Sequence, residues 1–85
     1  MPAVVARVYI TPKRGILDPQ GKAVQQALHA LGFGEVGDVR VGRLVEITLR
    51  DVEAPAARER TRAMCERLLA NGVIEDFQID VGERA

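Results

Sequence analysis

The first ten residues constrain the fold most. Val4, Ala6, Val8 and Ile10 alternate with Val5, Arg7, Tyr9 and Thr11, a period of two rich in β-branched side chains, so the segment reads as a strand. Both of its faces carry apolar residues. A single layer of helices covers only one side of a sheet, so a strand of this kind needs something on its other side as well. A chain of 85 residues supplies one domain with one thin core, taken here as 1–85.

The rest of the chain alternates helical and strand periods. Asp18-Pro19 is a helix start: the Asp18 carboxylate can accept from the first free amides, and Pro19 has no N–H to leave unpaired. Val24, Ala27, Leu28 and Leu31 then recur at helical spacing with Lys22, Gln25, Gln26 and His29 on the other side, and Gly32 ends the helix. Val36 to Val41 reads as a second strand, Gly42-Arg43 as a two-residue hairpin turn, and Val45, Ile47 and Leu49 as the returning strand. Pro55 opens a second helix with apolar positions Ala57, Thr61, Met64, Cys65 and Leu68, stopped by Asn71-Gly72. Phe77, Ile79 and Val81 form the last strand.

The order is β-α-β-β-α-β. Leu31-x-x-Gly34-x-Val36-x-Asp38-x-x-Val41 is echoed by Leu69-x-x-Gly72-x-Ile74-x-Asp76-x-x-Ile79 at one offset, as if the halves were copies. The expected fold class is therefore α+β: a ferredoxin-like two-layer sandwich, an antiparallel four-stranded sheet with two helices on one face. Whichever of Val5/Tyr9 or Val4/Val8/Ile10 faces away from the helices leaves apolar surface uncovered, and Leu44 poses the same problem beside Val45; contiguous apolar surface marks a self-association face, for which Val5, Tyr9 and Leu44 are the candidates.

Chemistry-bearing patterns are few. Twelve basic residues balance twelve acidic ones, so the positive excess that binding a phosphate backbone requires is missing, and no nucleic-acid partner is expected. The lone Tyr9 on the central strand is no base-stacking platform either. No apolar run approaches the ~20 residues of a membrane span and the N-terminus lacks a secretory pattern, so a cytoplasmic chain with no membrane partner is expected.

Gly32-Phe33-Gly34-Glu35-Val36-Gly37 fits a dinucleotide-binding glycine string but leaves a helix and enters a strand, the reverse of the required context. Gly15 to Gly21-Lys22 has one residue too many for a phosphate loop, and Ala23 stands where a hydroxyl would hold magnesium. With no serine, one histidine and one cysteine, the chain offers no catalytic, metal-binding or cofactor-binding residues.

Three strings resemble one family: Leu17-Asp18-Pro19-Gln20-Gly21-x-Ala23-Val24-x-x-Ala27-Leu28, Glu35-Val36-x-Asp38-Val39-Arg40-x-Gly42-Arg43, and Cys65-Glu66-Arg67-Leu68-Leu69-Ala70-Asn71-x-Val73-Ile74-Glu75-Asp76-Phe77. The family is PurS, the small subunit of phosphoribosylformylglycinamidine synthase, a ligase complex of purine biosynthesis. Gly72 stands where many relatives are expected to have proline.

The resemblance implies a non-catalytic structural subunit that bridges a glutaminase subunit and a large synthetase subunit as a dimer or dimer of dimers, with assistance to ammonia transfer as a further implication. It implies no cofactor on this chain, while the complex uses ATP, magnesium and glutamine. The implied partner surfaces are Asp18, Gln20 and Gly21 at the helix start, Arg40, Gly42 and Arg43 at the hairpin, and Asn71, Glu75 and Asp76 after the second helix. The alternative is a ferredoxin-like regulatory domain that binds a small molecule in the loop from Pro12 to Leu17.

Overall fold

The computed structural model describes residues 3–83. Strand β1 (Ala3–Pro12) is followed by helix α1 (Pro19–Ala30), strand β2 (Arg43–Arg50), helix α2 (Ala54–Met64) with a π-helical turn at Cys65–Leu69, and strand β3 (Glu75–Glu83). β1 is central in an antiparallel sheet of order β2-β1-β3. Its register sets Val8 opposite Val45 and Ile79, and Ile10 opposite Phe77. These side chains therefore share one face.

Helix α2 lies across β3 and β1 on that face, with Ala57, Thr61 and Cys65 buried against it. Val8, Ile10 and Cys65 form the centre of the core, and Val45, Ile47, Leu69, Phe77 and Ile79 pack around them.

Three expectations need correction. Among the described residues the sheet has three strands, because Val36 to Val41 forms none. Its backbone groups are taken up elsewhere: Gln25 Nε2 donates to the Gly37 carbonyl, His29 Nε2 to the Val36 carbonyl at 2.7 Å, and the Val41 N–H to Asp18 Oδ2 at 2.9 Å. The segment runs back along α1 instead of joining the ladder, so no hairpin turns at Gly42-Arg43.

Nor do both helices cover the sheet. α1 makes at most marginal contact with the strands, and residues 13–42 form an arm that stands off the end of β1. The third correction concerns Leu68. The i→i+5 bond from the Ala70 N–H to the Cys65 carbonyl adds a residue to the last turn, which rotates Leu69 onto the core and leaves Leu68 83% exposed.

Candidate functional site

The residues implied as partner surfaces gather at one end of the sheet, where β1 stops and β2 and β3 begin. They form two hydrogen-bonded groups. In the first, Asp18 is the hub at the root of the arm: its carboxylate accepts from the Gly21 N–H at 3.0 Å, capping α1, and from the Val41 N–H, tying down the returning chain. Arg40 Nη1 donates to the Pro12 carbonyl at 3.0 Å and closes the same root from the other side. Gly21, the one buried residue of α1, passes so near the Val39 carbonyl that a Cβ there would collide with it, and Gly42 passes equally near the Ile10 carbonyl. Gln20 is exposed beside this group.

The second group centres on Glu75. Arg43 grips it with two bonds, Nη1 to Oε2 at 2.8 Å and Nη2 to Oε1 at 3.2 Å, while Nη2 also donates to the Leu69 carbonyl at 2.7 Å. The Asn71 N–H donates to Glu75 Oε1 at 2.8 Å, and Asn71 Oδ1 accepts from the Val73 N–H at 3.0 Å. Arg43 is thus a strut that fixes the turn after α2 to the start of β2. Asp76, one residue on, pairs with Lys13 at 2.6 Å.

The electrostatics follow from these bonds. The Val41 N–H, then the Gly21 N–H, hold the Asp18 carboxyl below the usual carboxylate range; the Asn71 N–H, then the Arg43 side chain, do the same for Glu75. A carboxylate whose pKa is depressed by folding contributes stability above its unfolded value and loses that contribution as pH falls through the folded one. The urea midpoint is therefore expected to hold from pH 7 down to about 4 and then to fall. The drop should shrink in Asp18→Asn/Glu75→Gln, and equal drops in both proteins would show that neither carboxylate carries the effect.

Two hollows open between the groups. One of about 310 Å³ is lined by Lys13, Arg14, Asp18, Lys22, Asp38 and Arg40 among others, and it includes the loop considered for a small molecule. A broader one of about 510 Å³ lies beside it, between Tyr9, Arg14, Arg40 and Gln78. Both are open to solvent.

Burial pushes the Cys65 thiol up, away from the thiolate, so it belongs to the core. No cluster of three or more His, Cys, Asp or Glu that could hold a metal occurs among the described residues, and no helix there is long and apolar enough to cross a membrane.

On the sheet's open face Tyr9 and Leu44 are cross-strand partners, both about half exposed. Val5 lies further along the strand and is largely buried; Arg7 and Glu46, paired at 2.8 Å, stand between the two positions. The apolar surface is a patch at the Tyr9 end rather than a continuous face. Sequence reasoning passed over Leu68 and Val73, both about four-fifths exposed on either side of the Asn71 turn. Period counting placed Leu68 in the core and gave Val73 no role.

The PurS family model, described as phosphoribosylformylglycinamidine (FGAM) synthase, matches residues 5–83. The chain is 46% identical over 81 residues to the phosphoribosylformylglycinamidine synthase subunit PurS of Bacillus subtilis, covering 91% of this chain and 90% of that one. It is similar to the structure of Thermus thermophilus PurS, with a TM-score of 0.88 at 40% identity over 99% of this chain and 100% of that chain. A chain in the structure of PurLQS from Thermotoga maritima, 24% identical and matched over 99% of this chain and 100% of that one, shares the fold with a TM-score of 0.82.

Proposed function

The chain belongs to the PurS family, and we propose that within phosphoribosylformylglycinamidine synthase, the enzyme of purine biosynthesis of which it is a subunit, it organises partners and makes no bonds itself. In this reading it bridges the glutaminase and the ATP-dependent synthetase subunits in the cytoplasm, and assists the passage of ammonia between them. ATP, magnesium and glutamine are handled by those chains. One observation carries the proposal: the family's sequence blocks converge on one end of the sheet and are spent there on backbone-fixing bonds, from Asp18 to Val41 and from Glu75 to Asn71, with no reactive group among them. Rigid scaffolding beside exposed Leu68 and Val73 suits docking.

The subunit self-associates, as a dimer or a dimer of dimers, and the Tyr9 and Leu44 patch is one contact. The ferredoxin-like description applies to the chain order, with β1 central and residues 36–41 corresponding to the outer edge strand. The basic hollow beside Arg14 and Lys22 leaves the small-molecule reading as the rival.

Affinity capture of the full chain from native lysate tests the proposal. A glutaminase and a synthetase should co-purify, and mixing the three should give glutamine-dependent amidine formation that no pair of them gives. Arg43 is committed to Glu75 and Arg40 to the Pro12 carbonyl, so the fair surface probe is Leu68→Glu/Val73→Glu, which should weaken co-elution several-fold while the far-UV spectrum is kept. Full amidine formation by the two larger chains alone, or saturable binding of an amino acid or nucleotide to the isolated chain, would count against it.

A further inference from the structure

Asn71 is the only asparagine in the chain, and a glycine follows it. The side-chain amide of an asparagine is open to attack by the main-chain nitrogen of the next residue, and glycine offers that nitrogen with no side chain in the way. Burial of the pair, or a hydrogen bond from that N–H, would hold the reaction back. Neither restraint operates here. Asn71 and Gly72 are both exposed, the Gly72 N–H has no hydrogen-bond partner among the described residues, and nothing lies within 4 Å of where a Cβ on Gly72 would stand.

The turn also prepares the carbon that is attacked. Asn71 Oδ1 accepts from the Val73 N–H at 3.0 Å, so a donor already points at the oxygen on which negative charge collects when a nitrogen adds to Cγ. The same bond keeps the side chain folded toward the residues that follow it. Gln20-Gly21, the other side-chain amide followed by glycine, is the internal contrast. There the Gly21 N–H is bound to Asp18 Oδ1 at 3.0 Å and Gly21 is buried.

We infer that Asn71-Gly72 is a site of spontaneous deamidation, converting to aspartate and isoaspartate. Hydroxide takes the Gly72 amide proton, the nitrogen forms a bond to Asn71 Cγ, the Cγ–Nδ2 bond breaks, and Nδ2 leaves as ammonia with a proton from water. Water then opens the cyclic imide. Breaking the new bond between nitrogen and Cγ gives aspartate; breaking the original peptide bond gives isoaspartate, whose main chain runs through Cγ. The sum is asparagine plus water giving a carboxylic acid plus ammonia, with no oxidation.

Conversion loosens the turn that Arg43 fixes. The Asn71 N–H donates to Glu75 Oε1 at 2.8 Å, and the Asn71 carbonyl accepts from the Ile74 N–H at 3.1 Å and the Glu75 N–H at 2.7 Å. Either product sets a second carboxylate in the turn that holds Glu75, and like charges oppose each other there. Isoaspartate also takes that carbonyl out of the main chain and lengthens the chain by a methylene.

The full chain is incubated at neutral and at mildly alkaline pH, then analysed by peptide mass and by isoaspartyl methylation. The peptide containing residue 71 should gain the mass difference between a hydroxyl and an amino group, become a methyl acceptor, and do so faster at the higher pH. Gly72→Pro, which has no N–H, and Asn71→Gln, which would need a larger ring, should stay unconverted. Gly72→Ala should convert on the order of tenfold more slowly, because its Cβ restricts the approach. The converted chain, separated by anion exchange, should show faster hydrogen exchange at the Ile74 and Glu75 amides.

No gain in mass at residue 71 over a period in which a free peptide of residues 68–75 converts fully would overturn the site. Conversion of Gly72→Pro at the unmodified rate would overturn the cyclisation. Unchanged exchange at Ile74 and Glu75 in the converted chain would overturn the loosening of the turn.

Discussion

Gly42→Ala is expected to destabilise the chain by about 3 kcal/mol, because the added methyl has no room and its obstacle is main chain. Gly42 is exposed, which ordinarily predicts a tolerant site. Its missing Cβ would nonetheless collide with the Ile10 carbonyl oxygen and press on the Thr11 side chain. Ile10 pairs with Arg43 at the first step of the β1–β2 ladder and is itself almost completely buried, so the obstacle cannot move without unpicking the ladder or the core.

A domain of this length has a total stability of roughly 4–13 kcal/mol, and about 3 kcal/mol corresponds to a melting-temperature drop of about 12–24 °C. Thermal melts compared with Gly34→Ala, whose methyl would meet nothing within 4 Å, give the measurement. Gly34→Ala should lie within about 0.5 kcal/mol of the unmodified chain. Equal melting of Gly42→Ala and Gly34→Ala would mean that the approach to Ile10 is looser than described.

The elements that periodicity could see are the ones whose partners are local or generic. β1, β2 and β3 were legible from alternation, and α1 from Asp18-Pro19 followed by the Val24, Ala27, Leu28 stripe. In each case the hydrophobic pattern has the same period as the element. Residues 36–41 echo the stretch that becomes β3, yet they form no strand. What diverted them is a pair of polar side chains, Gln25 and His29, spaced one helical turn apart and aimed at carbonyls of this stretch. Polar residues on a helix read as solvated, and their capture of a neighbouring backbone depends on the arm's geometry.

The bonding at the candidate site was not legible in the sequence. Family resemblance selected Asp18, Arg43, Asn71 and Glu75 as partner surfaces, and their side chains are occupied inside the molecule. The exposure of Leu68 nearby follows from the π-helical turn, which period counting does not show.

Gly21→Ala sets helix propensity against the root of the arm, and the root is expected to win. Alanine in an exposed helix is favoured over glycine by about 1 kcal/mol, so a survey of α1 on propensity alone would choose this substitution as stabilising. At this position the methyl would strike the Val39 carbonyl oxygen and crowd the Asp18 carboxylate that caps the helix. Relief requires either the 39–41 segment of the arm or the capping carboxylate to move, and the second choice also releases the Val41 N–H. The net change should be a loss of about 2 kcal/mol, confined to residues 18–42, since none of these groups belongs to the core around Val8, Ile10 and Cys65.

Hydrogen exchange is the appropriate readout. Amides of α1 and of Val41 should lose protection while those of β1 and β3 keep theirs. Gly37→Ala, with nothing near its added methyl, should change neither. A rise in α1 protection would show that propensity outweighs the clash.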